Sequence, residues 1–256
     1  EKRYRAAAVN AAEFLLQHLK DEKGLLSHRW CEGEVAVPGF AEDYVFFALG
    51  LLDLYEATFE PRYLREALFL SRELIRLFWD EKAGGLFSAG KENEELLLRM
   101  KEIYDGALPS ANAVAVLLFL EIGHLTMDRE FEEKARRILL AFSDAILRFP
   151  AGCPQVLSGI DFTLGPSHEI TIAAHPGHAV LDDWMREIYR SFLPNKVVAL
   201  HPAGSAGAEE IENLVPFLKN QSMIENRPTV YVCENNACRT PVTEIGRLKN
   251  ILNTEG

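Results

Sequence analysis

Cysteine is scarce in this 256-residue chain: Cys31, Cys153, Cys233 and Cys238 are its only four. That is too few for a disulfide-stapled fold, and with no leader pattern in view it predicts a reducing, cytoplasmic setting. Long apolar runs are absent too. The longest, Ala113 to Leu120, falls well short of the roughly 18 residues that span a bilayer, so no membrane anchor is expected. Positive charge is the third shortage, with 27 Lys and Arg against 38 Asp and Glu, a net charge of -11 and no basic stripe. Phosphate binding needs concentrated positive charge, so a nucleic-acid partner is not expected.

The motifs of several common chemistries are missing as well. The segment from Ala203 to Gly207 lacks both the dinucleotide glycine pattern and a Walker lysine. No serine stands in a G-x-S-x-G elbow. His168, His175, His178 and His201 lack helical metal spacing and read as loop residues, so neither a metal nor a cofactor is expected. What is present is an ordinary globular composition, 48% apolar and 25% charged. A chain of this length can bury its own core in one or two domains. It starts at Glu1 and enters a helical pattern by Tyr4, which reads as a piece of something longer.

Apolar periodicity organises the first part of the chain. From Arg3 to Lys20, the residues Tyr4, Ala8, Ala11, Leu15 and Leu19 share one stripe, the mark of a helix with one buried face. From Phe40 to Phe59 apolar residues lie on every side, which predicts a helix buried all round. A stripe returns after Glu60-Pro61 in Leu64, Ala67, Leu74 and Phe78. Ala111 to Ile122 is again apolar throughout, and Phe131 to Phe149 again one-sided. The order is outer, inner, outer, inner, outer. The connections repeat too, since Asp21-Glu22-Lys23-Gly24-Leu25-Leu26-Ser27 is echoed by Asp80-Glu81-Lys82-Ala83-Gly84-Gly85-Leu86-Phe87-Ser88. This is an internal repeat of about 60 residues, each unit a helical hairpin with a long loop.

Repeated inner and outer helices are the units of an α/α toroid, with the long loops gathered at the N-termini of the inner helices. The fold predicted is mainly α: a partial toroid of helical hairpins over residues 1–165, then a small C-terminal α/β segment over 166–256. In that segment, strands are expected at Glu169–Ala173, Lys196–Leu200 and Thr229–Cys233. With helices between them, they predict a short parallel sheet.

The two loop-to-helix junctions hold the candidate chemistry, and the repeat is expected to set them side by side on one rim. Glu42 and Asp43 fall in the first turn of an inner helix, where one can act as general acid or base; stabilisation of the helix dipole explains the same pair. The second junction, Arg99 to Asn112, includes the cations Arg99 and Lys101, the carboxylate of Asp105, the hydroxyl of Ser110 and the amide of Asn112. Ser110 is a natural N-cap there. Arg99, Lys101, Asp105 and Asn112 fit either a ligand site or a network that closes the loop. Trp30, Tyr44 and Tyr104 lie in or near the same loops and suit stacking on a sugar. Cys233 and Cys238, with four residues between them, admit a redox pair, a metal site or free thiols, with free thiols the simplest reading.

These residues also carry a resemblance. The patterns F-x-E-D-Y-x-F, G-L-L-D-L-Y-E-A, R-x-K-x-x-x-D-G-A-x-P-S-A-N, P-N-K-V-V and Y-V-C-E-N-x-A-C-x-x-P-V-T run through nearly the whole chain. Together they resemble the YyaL/spermatogenesis-associated thioredoxin-domain protein family. The resemblance implies a thioredoxin-like domain followed by an (α/α)6 toroid of the six-hairpin glycosidase type, similar in shape to N-acylglucosamine 2-epimerases. This chain corresponds to the second half of that toroid. By the resemblance, Glu42, Asp43, Arg99, Lys101, Asp105, Ser110 and Asn112 line the toroid pocket.

The function admits three readings. The first is a carbohydrate-processing or sugar-binding domain with Glu42, Asp43 and Asp105 as acid/base groups; Trp30, Tyr44, Arg99, Lys101, Tyr104, Ser110 and Asn112 would hold the sugar. The inner helices offer no histidine, which tilts this reading from epimerase toward hydrolase. The second is a non-catalytic scaffold for a thioredoxin-like domain or a client. The third is a thiol redox role for Cys233 and Cys238. The expected partners are the missing toroid half and thioredoxin-like domain or a second copy of the chain, with the Arg3 to Lys20 helix as the seam.

Overall fold

A computed structural model describes residues 1–91, 98–202, 204–205, 207–234 and 237–253. Parts of the second long loop, of the segment around Gly204 and of the stretch between Cys233 and Cys238 therefore lie outside the described residues. The chain divides into two compact units, Glu1–Leu120 with Arg129–Ile160, and Glu121–Asp128 with Asp161–Gly256. Among the described residues no helix is long and apolar enough to cross a membrane.

The periodic stretches become helices α1 (Lys2–His18), α2 (Ala41–Thr58), α3 (Pro61–Phe78), α4 (Ala111–Thr126), α5 (Arg129–Ala141), α6 (Ser143–Arg148) and α7 (Pro154–Leu164). The contrast between inner and outer helices is real. The inner helix α2 buries Tyr44, Val45, Leu51, Leu52, Leu54 and Tyr55 around several faces, whereas α3 buries one face through Tyr63, Leu64, Ala67, Leu70, Leu74 and Phe78. Each buried Val, Leu or Phe among these contributes about 1.5–3 kcal/mol relative to exposure. A left-handed Phe59 (φ 58°) ends α2 and Pro61 opens α3, which makes the hairpin turn tight. The outer helix expected from Phe131 to Phe149 is instead interrupted at Phe142. There the Ser143 hydroxyl donates to Leu140 O at 3.0 Å, a local bond that competes with the helix ladder.

The repeat seen in the loops is a repeat of structure. Asp21 Oδ1 accepts the amides of Lys23 and Leu25 at 2.9 and 2.8 Å; Asp80 Oδ1 accepts those of Lys82 and Ala83 at 2.9 and 3.1 Å. Each turn then closes on a short antiparallel bridge, Lys20 with Leu26 and Trp79 with Leu86. Beyond the bridge the two loops diverge. The first folds into a hairpin of β1 (Ser27–Cys31) and β2 (Glu34–Pro38), with Trp30 opposite Val35. Its two-residue turn, Glu32-Gly33, has positive φ at both positions (51° and 87°), which matches the twist of the flanking strands.

The second unit holds β3 (His168–Ala173), α8 (Val180–Arg190), β4 (Lys196–His201), α9 (Ala208–Leu214), β5 (Thr229–Glu234), β6 (Ala237–Cys238) and α10 (Ile245–Asn253). The sheet order is β4-β3-β5-β6, with every residue of the central strand β3 buried. Among the described residues only β3 and β4 pair in parallel; β5 pairs antiparallel with β3, and β6 antiparallel with β5, which corrects the expected parallel sheet. His201 and Thr229 both lie opposite Ala173, so the chain leaves β4 and enters β5 at the same end and needs no crossover. His168 and His201 are buried strand residues, not loop residues as expected.

Candidate functional site

The start of α2 fixes a cavity in the first unit. Gly39 must be a glycine: its amide donates to Leu26 O at 2.8 Å, and a Cβ there would lie 2.7 Å from that same oxygen and 3.0 Å from Tyr44. This close approach lays the hairpin strand β1 against the helix entrance. Behind it, the Leu26 amide donates to the Tyr44 hydroxyl at 2.8 Å. Tyr44, expected to contact ligand, is only 2% exposed and serves this backbone bond instead.

In front, Asp43 is the third residue of α2 and accepts the Phe40 amide at 2.8 Å, closing the first helical turn. The same carboxylate meets His28 Nδ1 at 2.9 and 3.1 Å. The His28 ring also packs edge-on against Phe40, with centroids 5.1 Å apart. A carboxylate on Nδ1 assigns the proton to that nitrogen and leaves the Nε2 lone pair available. Nε2 makes no hydrogen bond among the described residues.

These groups open onto a cavity of about 510 Å³ lined by Leu15, Leu19, Leu26, Ser27, His28, Glu42, Asp43, Phe46, Phe47 and Leu108. The lining thus combines a few polar side chains, Ser27, His28, Glu42 and Asp43, with leucine and phenylalanine. This is the usual make-up of a small-molecule site. His28 was not singled out in the sequence. The Glu-Gly turn flanked by alternating Val35 and Val37 is the signal that predicts a hairpin, and the hairpin is what delivers the histidine.

The second junction is absorbed by the scaffold. Asp105 accepts the amides of Ser110 and Gln155 at 2.9 and 2.8 Å. The Asn112 side chain accepts the Leu86 amide at 2.6 Å and donates to Leu86 O and Glu102 O, both at 2.9 Å. Lys101 donates to Asp80 at 2.8 Å and to Gly84 O at 2.9 Å, and the hydrogen bond to Asp80 is the main reason that this carboxyl is held at about 2. Arg99 donates to Ala89 O and Leu77 O and stacks over Phe87 at 4.2 Å; its burial pulls the guanidinium below its ordinary value. The Ser110 hydroxyl caps α4 by accepting the Ala113 amide at 3.2 Å.

The two junctions therefore do not share a rim of polar side chains, because only Leu108 of the second reaches the cavity. Tyr104 packs against Phe149, and Trp30 against Phe14 and His18, with centroids 5.2 and 5.7 Å away; neither ring lines the cavity. Cys233 and Cys238 form a disulfide in place of the free thiols expected. Cys31 and Cys153 stay unpaired. Among the described residues no three His, Cys, Asp or Glu side chains are grouped to hold a metal ion.

No protein-family model matches the chain. It is 34% identical over 255 residues to spermatogenesis-associated protein 20 of Rattus norvegicus and 33% identical over 255 residues to that of Homo sapiens. Each match covers 96% of this chain and 32% of the relative. An uncharacterized protein of Caenorhabditis elegans is 26% identical over 261 residues, covering 99% of this chain and 35% of the relative. The chain thus spans about a third of the length of the curated relatives it matches.

Proposed function

Over the stretch it spans, the chain belongs to the spermatogenesis-associated protein 20 family, and on that footing we propose that the cavity at the start of α2 binds and processes a small sugar. The observation that supports this reading is the His28–Asp43 pair, next to Glu42, in the lining of a mostly apolar cavity. Asp43 orients the ring and stabilises the imidazolium that forms when Nε2 takes a proton. Glu42, exposed in the first turn of α2, supplies the second carboxylate. Phe46 and Phe47 offer apolar surface to the C–H face of a sugar ring.

The acid/base set is thus His28 and Glu42, with Asp43 as the orienting group, and Asp105 is left out. A histidine in the cavity also restores epimerase-like proton transfer beside hydrolysis. Cytoplasmic carbohydrate metabolism is the setting we assign to it. The partner is the rest of the longer protein, with the thioredoxin-like domain that the motifs imply, or a second copy seated on α1, where Tyr4 and Phe14 are exposed. Light scattering at micromolar concentration tests the second copy, and a monomer contradicts it.

Binding of mono- and oligosaccharides, followed by thermal shift on this chain and on a full-length relative, tests the site. A sugar-specific shift that His28→Ala and Asp43→Asn abolish and Asp105→Asn retains supports it. The absence of any shift in the full-length protein overturns it.

A further inference from the structure

We propose that Cys233 and Cys238 form a second functional site, a dithiol–disulfide pair that exchanges with the vicinal dithiol of a partner protein. The two residues stand directly opposite one another on β5 and β6, and their sulfurs are bonded. They are not equivalent. Cys233 is 4% exposed, whereas Cys238 is exposed on the outermost strand of the sheet, so one sulfur is open to an incoming thiolate and the other is sheltered.

A purely structural bridge explains the arrangement poorly. It joins residues only five positions apart in the chain, and short loops constrain the unfolded chain little. Moreover, a buried amide is committed to the sulfurs. Gln221 follows the 3-10 turn Pro216–Asn220 and points Nε2 at Cys233 Sγ (3.5 Å) and Cys238 Sγ (3.7 Å). Among the described residues its own Oε1 is buried without a hydrogen-bond partner, a cost that a merely space-filling residue would not carry. The backbone holds Gln221 in place: its carbonyl meets His201 Nδ1 at 2.6 Å, and Nε2 of that ring meets Glu212 at 2.9 Å. An N–H fixed beside a disulfide is useful when one sulfur becomes an anion.

The exchange starts when a partner thiolate attacks Cys238 Sγ, forming a mixed disulfide while the Cys233–Cys238 bond breaks. The electron pair leaves on Cys233 Sγ, where the Gln221 amide stabilises the thiolate until water protonates it. The partner's second thiolate then attacks its own sulfur in the mixed disulfide and releases Cys238 as a thiolate. Two electrons pass from the partner, oxidised to a disulfide, to the pair, reduced to two thiols. The reverse sequence reduces a partner disulfide. Cys31 and Cys153 belong to the first unit and take no part. None of this depends on the cavity at α2.

The test uses the whole chain with Cys31→Ser, so that no other exposed thiol reports. The oxidised protein is challenged under native conditions with a Cys-x-x-Cys peptide, and the thiols are mapped by alkylation and mass spectrometry. The pair should be reduced while the fold persists. In trapping by the oxidised peptide, Cys233→Ser should react at Cys238 about tenfold or more faster than Cys238→Ser reacts at Cys233, as thiol accessibility dictates. Gln221→Met should slow reduction about tenfold, the effect of losing one hydrogen bond to a developing charge. Reduction only after urea unfolding overturns the proposal without reliance on any variant. Equal trapping rates at the two sulfurs overturn it as well.

Discussion

One carboxylate, Asp43, lies 2.9 Å from His28 Nδ1 and 2.8 Å from the Phe40 amide, so the same group closes the first turn of α2 and holds a ring delivered by the preceding hairpin. Its two jobs separate by substitution. Asp43→Asn keeps an acceptor for Phe40 and should cost about 1 kcal/mol or less of stability, in the range of exposed capping changes. His28→Ala, at a half-exposed ring, should cost as little. Urea unfolding should find both variants near wild type, so any loss of ligand binding in them reports on the site.

Tyr44 and Asn112 make equivalent contacts one repeat apart, each accepting the amide of the leucine that closes its turn, Leu26 or Leu86. Tyr44→Phe strands one buried amide and should cost about 1–3 kcal/mol. Asn112→Ala removes three bonds at once and should cost more, roughly 2–5 kcal/mol. Equilibrium unfolding in urea gives the order directly; a milder Asn112→Ala would contradict the scaffold role of that side chain.

Asp80 supplies a pH signature. The Lys101 hydrogen bond, with help from the Ala83 and Lys82 amides, holds its carboxyl at about 2 in the folded chain. A folded value below the unfolded one stabilises the fold fully above the ordinary carboxylate range near ~4, and that stabilisation is lost as pH falls toward 2. Melting temperatures between pH 5 and 2 should therefore fall less steeply in Asp80→Asn than in wild type. The variant should also be about 1.5–3 kcal/mol less stable at neutral pH, the scale of a hydrogen bond to a charged group.

Asp105 discriminates between a site and a scaffold. Its two oxygens each accept one backbone amide, Ser110 and Gln155. Asp105→Ala should destabilise by roughly 2–5 kcal/mol, with two amides left unpaired. At a temperature where the variant is folded, its sugar affinity should match wild type. Calorimetry that finds affinity lost with the fold intact would return Asp105 to the site.

The helices were legible because their apolar residues recur at helical spacing: one stripe on α3, all faces on α2. The loop repeat was legible because Asp21 and Asp80 sit at matching places before glycine turns. The second junction was harder to read. Arg99, Lys101, Asp105 and Asn112 show charge and polarity in the sequence, but their partners are mostly backbone groups, and those do not show in a sequence. The orientation of β5 was hidden for a related reason. Strand and helix alternate along the chain, yet only the pairing of Thr229 with Ala173 shows that the return from β4 needs no crossover. His28 escaped because its value comes from Asp43, which lies beyond the hairpin turn.

A sugar site in front of α2 stands or falls with His28. Isothermal titration of a saccharide panel into a full-length relative, with His28→Ala and Asp105→Asn made at the matching positions, tests it most directly. One sugar should bind wild type and Asp105→Asn alike and lose at least about tenfold in affinity with His28→Ala, the effect of one lost hydrogen bond in a desolvated site. A sugar that binds all three equally, or a panel in which none binds wild type, would contradict it.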